Sequence, residues 1–139
     1  MRYYKPILSR IHWPLAVDDM VGIELASGME LLMIGLWLSL PFVTLADTPI
    51  YQPMYALLPH EWVWASIVIV LGFFQIWSIV HSHILSRRVA AFVAFFTWFF
   101  MAGVTFMGNR ESLAAPVYAT LAILCGWAYL RLSLSVKRP

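Results

Sequence analysis

Glu30 stands in an otherwise apolar stretch, Ser27-Gly28-Met29-Glu30-Leu31-Leu32-Met33. A carboxylate inside an apolar span is costly, so it faces the bundle interior, water, a partner or, by snorkelling, the interface. Two kinds of chemistry follow. One is a hydrogen bond to Gln75 or His81, which approach the same side of the membrane on the next span. The other is a protonatable or pore-lining group. Glu24 is six residues away, about 240° around a helix, so the two do not form one acidic face, and Glu24 is expected to be solvated nearer the interface.

The remaining reactive types are scattered. His81 and His83 are two residues apart, about 200° around a helix, and cannot chelate one metal together. His12 is the one candidate partner for a haem at that depth, and His60 lies alone at the opposite surface, so all four histidines read as interfacial and neither metal nor cofactor is expected. The single cysteine, Cys125, excludes an internal disulfide and a four-thiolate zinc site. Ser39, Thr97, Thr105 and Ser112 are hydroxyls without a His, Asp or Lys at motif spacing, and there is no Gly-rich phosphate cradle. An enzyme is not expected, because a small bundle with short loops leaves little room for a preorganised catalytic site.

The elements that carry these residues are membrane spans. Of 139 residues, 62% are apolar and 12% charged, against roughly 45–50% and about 25% in soluble domains, and mean hydropathy is +0.79. A bilayer core about 30 Å thick needs about 20 apolar residues in a helix. Residues 62–80, 89–109 and 112–130 supply that length with no Asp, Glu, Lys or Arg. The pattern predicts an all-α, single-domain integral membrane four-helix bundle with spans at about 25–46, 62–82, 89–109 and 112–131. Pro41 is expected to kink the first span, since its ring removes an amide donor and clashes with the preceding turn. Residues 1–24 are expected to lie along the interface, and 47–61, with Pro49, Pro53 and Pro59, to form a surface loop whose Pro59 begins the next helix. No cleaved secretory signal is expected, because the first 19 residues lack a long apolar run.

Eight of the nine basic residues fall on one side of these spans: Arg2, Lys5, Arg10, Arg87, Arg88, Arg131, Lys137 and Arg138. Arg110 falls on the other, beside Glu111 with which it can pair. The positive-inside rule then places both termini in the cytoplasm. A net charge of +2 gives no argument for nucleic acid; the partners expected are the lipid bilayer and either a second copy or a larger membrane protein. Helices in lipid associate through small residues. Ala115, Ala119, Ala122 and Gly126 share one face of the fourth span, and Gly28, Gly35 and Ser39 form a stripe in the first. Both suit helix contact, within the bundle or between copies.

In organisation the chain resembles phage holins, small multi-spanning inner-membrane proteins with short loops and a basic cytoplasmic tail, here residues 131–139. That resemblance covers the layout of the whole chain and implies a bacterial inner membrane, self-association and the opening of a lesion or pore. Four spans with one acidic residue in the first also look like small multidrug-resistance exporters, whose glutamate binds protons and cationic drugs in a dimer; the residues around Glu30 depart from that family's pattern. The third expectation is a non-catalytic accessory subunit or modulator, such as a superinfection-exclusion factor, that contacts a larger partner.

Overall fold

The computed structural model describes residues 20–41 and 45–135, and all regular structure among them is helical. In chain order the elements are α1 (Val21–Leu38), a 3-10 turn (Pro49–Tyr51), α2 (Gln52–Leu57), α3 (Glu61–Val80), α4 (Ile84–Gly108) and α5 (Ala114–Ser135). Four of them, α1, α3, α4 and α5, are long and apolar enough to cross a membrane. Their outer surface is studded with large apolar side chains such as Met33, Phe73, Phe99 and Ile123, the composition that hydrocarbon requires. The chain is therefore built as a small integral membrane protein. The interfacial segment expected at the N-terminus lies, up to residue 19, outside the described residues.

The inner faces follow a 3-4 spacing. Buried positions run Val21, Glu24, Gly28, Leu31, Gly35, Leu38 on α1 and Ala65, Val68, Gly72, Gln75, Ile79 on α3. On α4 they run Arg87, Ala91, Ala94, Trp98, Met101, Thr105, and on α5 Ala115, Tyr118, Ala122, Cys125 and Leu132. This 3-4 spacing is the seam pattern of an antiparallel helix bundle.

α1 packs chiefly on α3, and α4 chiefly on α5. Glycine makes the first contact close. A Cβ on Gly72 would stand 2.8 Å from the Gly28 carbonyl oxygen, and one on Gly35 would stand 3.1 Å from the Ala65 carbonyl oxygen and collide with Ile69 Cγ1. Gly28 therefore opposes Gly72, and Gly35 opposes Ala65. Alanines Ala91, Ala94, Ala122 and Ala128 are buried in the second pair, and the Phe95 ring closes over Gly126. In lipid such approach replaces the hydrophobic driving force that soluble bundles use.

The boundaries differ from the expected ones for identifiable reasons. The first span starts at Val21 and ends at Leu38, so Pro41 is no kink; it lies beyond the helix, whose end is tied by Ser39, with Oγ donating to the Gly35 carbonyl at 2.8 Å. The α3–α4 connection is the three residues 81–83, with Ser82 in the left-handed region at φ 52°. Arg87 and Arg88 consequently belong to the first turns of α4. Pro59 precedes α3 by two residues, and Glu61 opens the helix as an acidic residue in its first turn. Arg110 does not pair with Glu111; its guanidinium lies 5.9 Å from the centre of the Phe106 ring.

Residues 45–60 form a docked cap rather than a free loop. Leu45 and Met54 are buried in the main core, and the Leu45 amide donates to Glu61 Oε1 at 2.6 Å. The Tyr51 and Tyr118 hydroxyls are 2.9 Å apart, joining the 3-10 turn to α5. Gly108, at the end of α4, meets the carbonyls of Pro49 and Ile50 so closely that no Cβ fits.

The glycine seam predicts that Gly72→Leu lowers bundle stability by about 1–3 kcal/mol, the range for overpacking. Gly103, with open space around its Cβ position, should accept Ala with unchanged or higher stability. Unfolding titrations in detergent compare the two variants directly.

Candidate functional site

Apart from Thr105 near the end of α4, the buried polar residues Glu24, Ser27, Gln75, Ser78 and Arg87 gather near the end of the bundle where α1 begins and α3 finishes. Ser27, at 0% exposure, is the centre. Its hydroxyl donates to Gln75 Oε1 at 3.1 Å and accepts from Trp98 Nε1 at 2.8 Å and from the Cys125 thiol at 3.3 Å. A serine hydroxyl has one proton and two lone pairs. All three are used, one toward each of the other spans.

That hub also fixes the amide of Gln75. With both lone pairs of Ser27 taken, the third partner must accept, so Oε1 turns toward the hydroxyl. Nε2 is left buried without a hydrogen-bond acceptor among the described residues. Ser78, one turn on, donates to the Gln75 backbone carbonyl at 2.7 Å. Trp98 is wholly buried and stacks on Tyr118 at 5.5 Å between ring centres. The indole thereby links the hub to the tyrosine pair beneath the cap.

About one turn nearer the α1 start lies a buried ion pair. Arg87 Nε donates to Glu24 Oε2 at 3.0 Å, and Arg87 Nη2 donates to the same oxygen. Both side chains are buried. A guanidinium is the cation suited to this, being planar and more weakly hydrated than an ammonium. The neighbouring Arg88 does different work, donating from Nε to the Leu132 carbonyl at 3.0 Å and from Nη2 to the Ser133 carbonyl at 2.8 Å. Both acceptors lie in the last described turn of α5, where the helix dipole also favours a cation.

Glu24, expected in solvent, is thus inside, and the reason is the helix start. With α1 beginning at Val21, Glu24 takes a seam position facing Arg87. Glu30 changes place as well. It is the tenth of 18 residues in α1, about 14 Å along the axis from Val21, and its side chain is exposed on the outer face with Ala26, Met29 and Met33. The register that pairs Gly28 with Gly72 sets Glu30 level with Val70, away from Gln75 and His81. Gln75 bonds Ser27 instead, and His81 is exposed, with Nδ1 3.0 Å from the Trp77 carbonyl and its ring 4.3 Å from that of Trp77.

The other residues singled out from the sequence divide by face. Gly28 and Gly35 lie in the α1–α3 contact, while Ser39 is exposed at the end of α1. Ala115 and Ala122 are buried within the bundle; Ala119 and Gly126 are half-buried along the α4–α5 groove. His60 and His83 are exposed and immediately precede α3 and α4. His12 lies outside the described residues. Among the described residues no group of three or more His, Cys, Asp or Glu is placed to hold a metal. What the interior can do chemically is hold four helices in one register, with the Glu24–Arg87 pair closing its end.

Compared with known protein families, with curated proteins and with solved structures, the chain matches none.

Breaking a buried ion pair strands a charge and typically costs about 3–5 kcal/mol. Arg87→Met is expected to destabilise the bundle by that order, and Arg88→Met by about 1.5–3 kcal/mol, the range for hydrogen bonds from a charged group. Ser27→Ala, which orphans the Trp98 indole, should cost about 1–3 kcal/mol and shift tryptophan emission. Thermal unfolding in detergent with a fluorescence readout measures all three.

Proposed function

We propose that the protein self-associates in the membrane through the outer face of α1, and that the assembly opens a holin-like lesion or pore at Glu30. One observation carries this reading. Glu30 is a carboxylate near mid-span on the outside of the bundle, surrounded on α1 by exposed apolar side chains. A charged group at the bilayer centre costs at least roughly 2.5–3.5 kcal/mol, and intramembrane acids almost always face an interior or a water-filled path. The monomer provides neither. A second copy does: paired carboxylates share a proton or line water between the two α1 helices. Ala26, one turn away on the same exposed face, lets the helices approach.

Gln75 has no part in this assembly, because its amide is committed to Ser27 inside the monomer. The eight-to-one division of basic residues supports a placement with both termini in the cytoplasm of a bacterial inner membrane. A second reading draws on the same exposed carboxylate. The span that covers Glu30 then belongs to a larger membrane protein, and this chain is its accessory subunit.

Inducible expression in bacteria tests both, with membrane potential followed in living cells and crosslinking on the same membranes. Wild type is expected to depolarise the membrane and give a ladder of homo-oligomers, and Glu30→Leu to lose both at matched expression. Intact potential with monomer alone would overturn self-association. Intact potential with a crosslink to a different protein would replace the pore with the accessory reading.

A further inference from the structure

The groove between α4 and α5 at the Gly108 end is charged at its mouth and apolar along its length. Arg110 and Glu111 occupy the turn joining the helices, and both are exposed. They are adjacent and of opposite charge, yet they do not pair. The Arg110 guanidinium is held over Phe106, and the Glu111 backbone amide is anchored to Asn109 Oδ1 at 3.0 Å. Below them the groove is an open depression of about 530 Å³, a volume within the roughly 300–1,000 Å³ of ligand sites. Its lining includes Ala102, Ala115 and Ala119, whose small side chains leave the space open. Ala102 is eight residues before Arg110, so the groove reaches about 12 Å down the bundle from its charged mouth.

The position of this mouth suits a headgroup. α4 has 25 residues and is about 37 Å long, more than the hydrocarbon thickness of about 30 Å, so its end emerges among headgroups. A ligand that complements the site carries a negative group for Arg110, a hydrogen-bonding cation for Glu111 and an apolar tail for the alanine-lined channel.

We infer that this groove is a binding site for a glycerophospholipid with a primary-amine headgroup, its phosphodiester on Arg110, its ammonium on Glu111 and an acyl chain along Ala102, Ala115 and Ala119. A guanidinium matches phosphate oxygens with paired N–H donors. An ammonium has three N–H donors for the carboxylate. A choline headgroup has none, and a glycerol headgroup carries no cation, leaving Glu111 facing an anionic lipid. The groove is filled from the bilayer itself, and the inference does not depend on self-association.

Native mass spectrometry of the full chain, released from detergent containing equal amounts of phosphatidylethanolamine, phosphatidylglycerol and phosphatidylcholine, reads lipid retention directly. Wild type is expected to retain phosphatidylethanolamine about tenfold over the other two, the size of one charge-assisted hydrogen-bonded contact. Arg110→Gln should lose that retention. Glu111→Gln should bring phosphatidylethanolamine and phosphatidylglycerol to equal retention, and Ala119→Leu, which fills the channel, should lower all adducts. Arg131→Gln, an exposed cation at the far end of α5, should leave the wild-type pattern in place. Equal retention of the three lipids by wild type, or an unchanged preference in Arg110→Gln, would overturn the site.

Discussion

A single hydroxyl, that of Ser27, makes contact with every other span of this bundle. In lipid the apolar faces of four helices have no reason to prefer one another over acyl chains, so specificity comes from close packing and polar contacts. Interhelical hydrogen bonds contribute roughly 0.6 kcal/mol on average and up to about 1.7 kcal/mol each. Three of them on one oxygen are modest in energy but demanding in geometry. A one-residue slip of any helix removes a bond and leaves an indole, amide or thiol unpaired in a dry interior. The glycines Gly28, Gly35 and Gly72 serve the same constraint, because Ser27 reaches Gln75 only where the α1 and α3 backbones come close. The Glu24–Arg87 pair, about a turn away, closes the end of the seam with a contact that tolerates no slip either.

This constraint accounts for the division of polar residues between inside and outside. Once α1 turns Ser27, Gly28 and Leu31 toward its neighbours, Glu30 stands about 100° from Leu31 with its side chain exposed. Among the described residues, Gln75 Nε2 is the one buried side-chain polar atom without a hydrogen bond, while Glu30 stands exposed near mid-span. The proposed self-association draws on that contrast. At the opposite end, the docked cap and the tyrosine pair hold residues 45–60 against α4 and α5.

Sequence reasoning reached the class and the four spans because long uncharged runs admit only one element in a bilayer. It fell short where charges neutralise each other. Glu24, Arg87 and Arg88 read as span limits, whereas Glu24 and Arg87 form a buried pair and Arg88 bonds the Leu132 and Ser133 carbonyls of α5, so the helices extend past them. The clue was present: Glu24 continues the 3-4 series through Gly28, Leu31, Gly35 and Leu38, and Gln75 continues that of Ala65, Val68 and Gly72. Pro41 was visible as a breaker, but whether a proline kinks or ends a helix depends on hydrogen bonds such as that of Ser39. Ser27, Trp98 and Cys125 carried no signal of their own, since each is unremarkable until three other helices bring it a partner. The depth of Glu30 followed the same fate, because it moves from one turn inside the span to its middle when the helix starts four residues earlier.

The register set at Ser27 leaves Glu30 facing lipid in a single copy, and the proposed assembly covers it. A nitroxide placed by Met33→Cys, one turn from a retained Glu30 on the same exposed face and with the buried Cys125 left unlabelled, reports on this in nanodiscs holding one copy or several. In single-copy discs the label should collide freely with oxygen dissolved in the bilayer, and in multi-copy discs it should be shielded and show dipolar coupling to a second label. A label already shielded in single-copy discs, or one equally lipid-exposed and uncoupled when copies share a bilayer, would contradict the account.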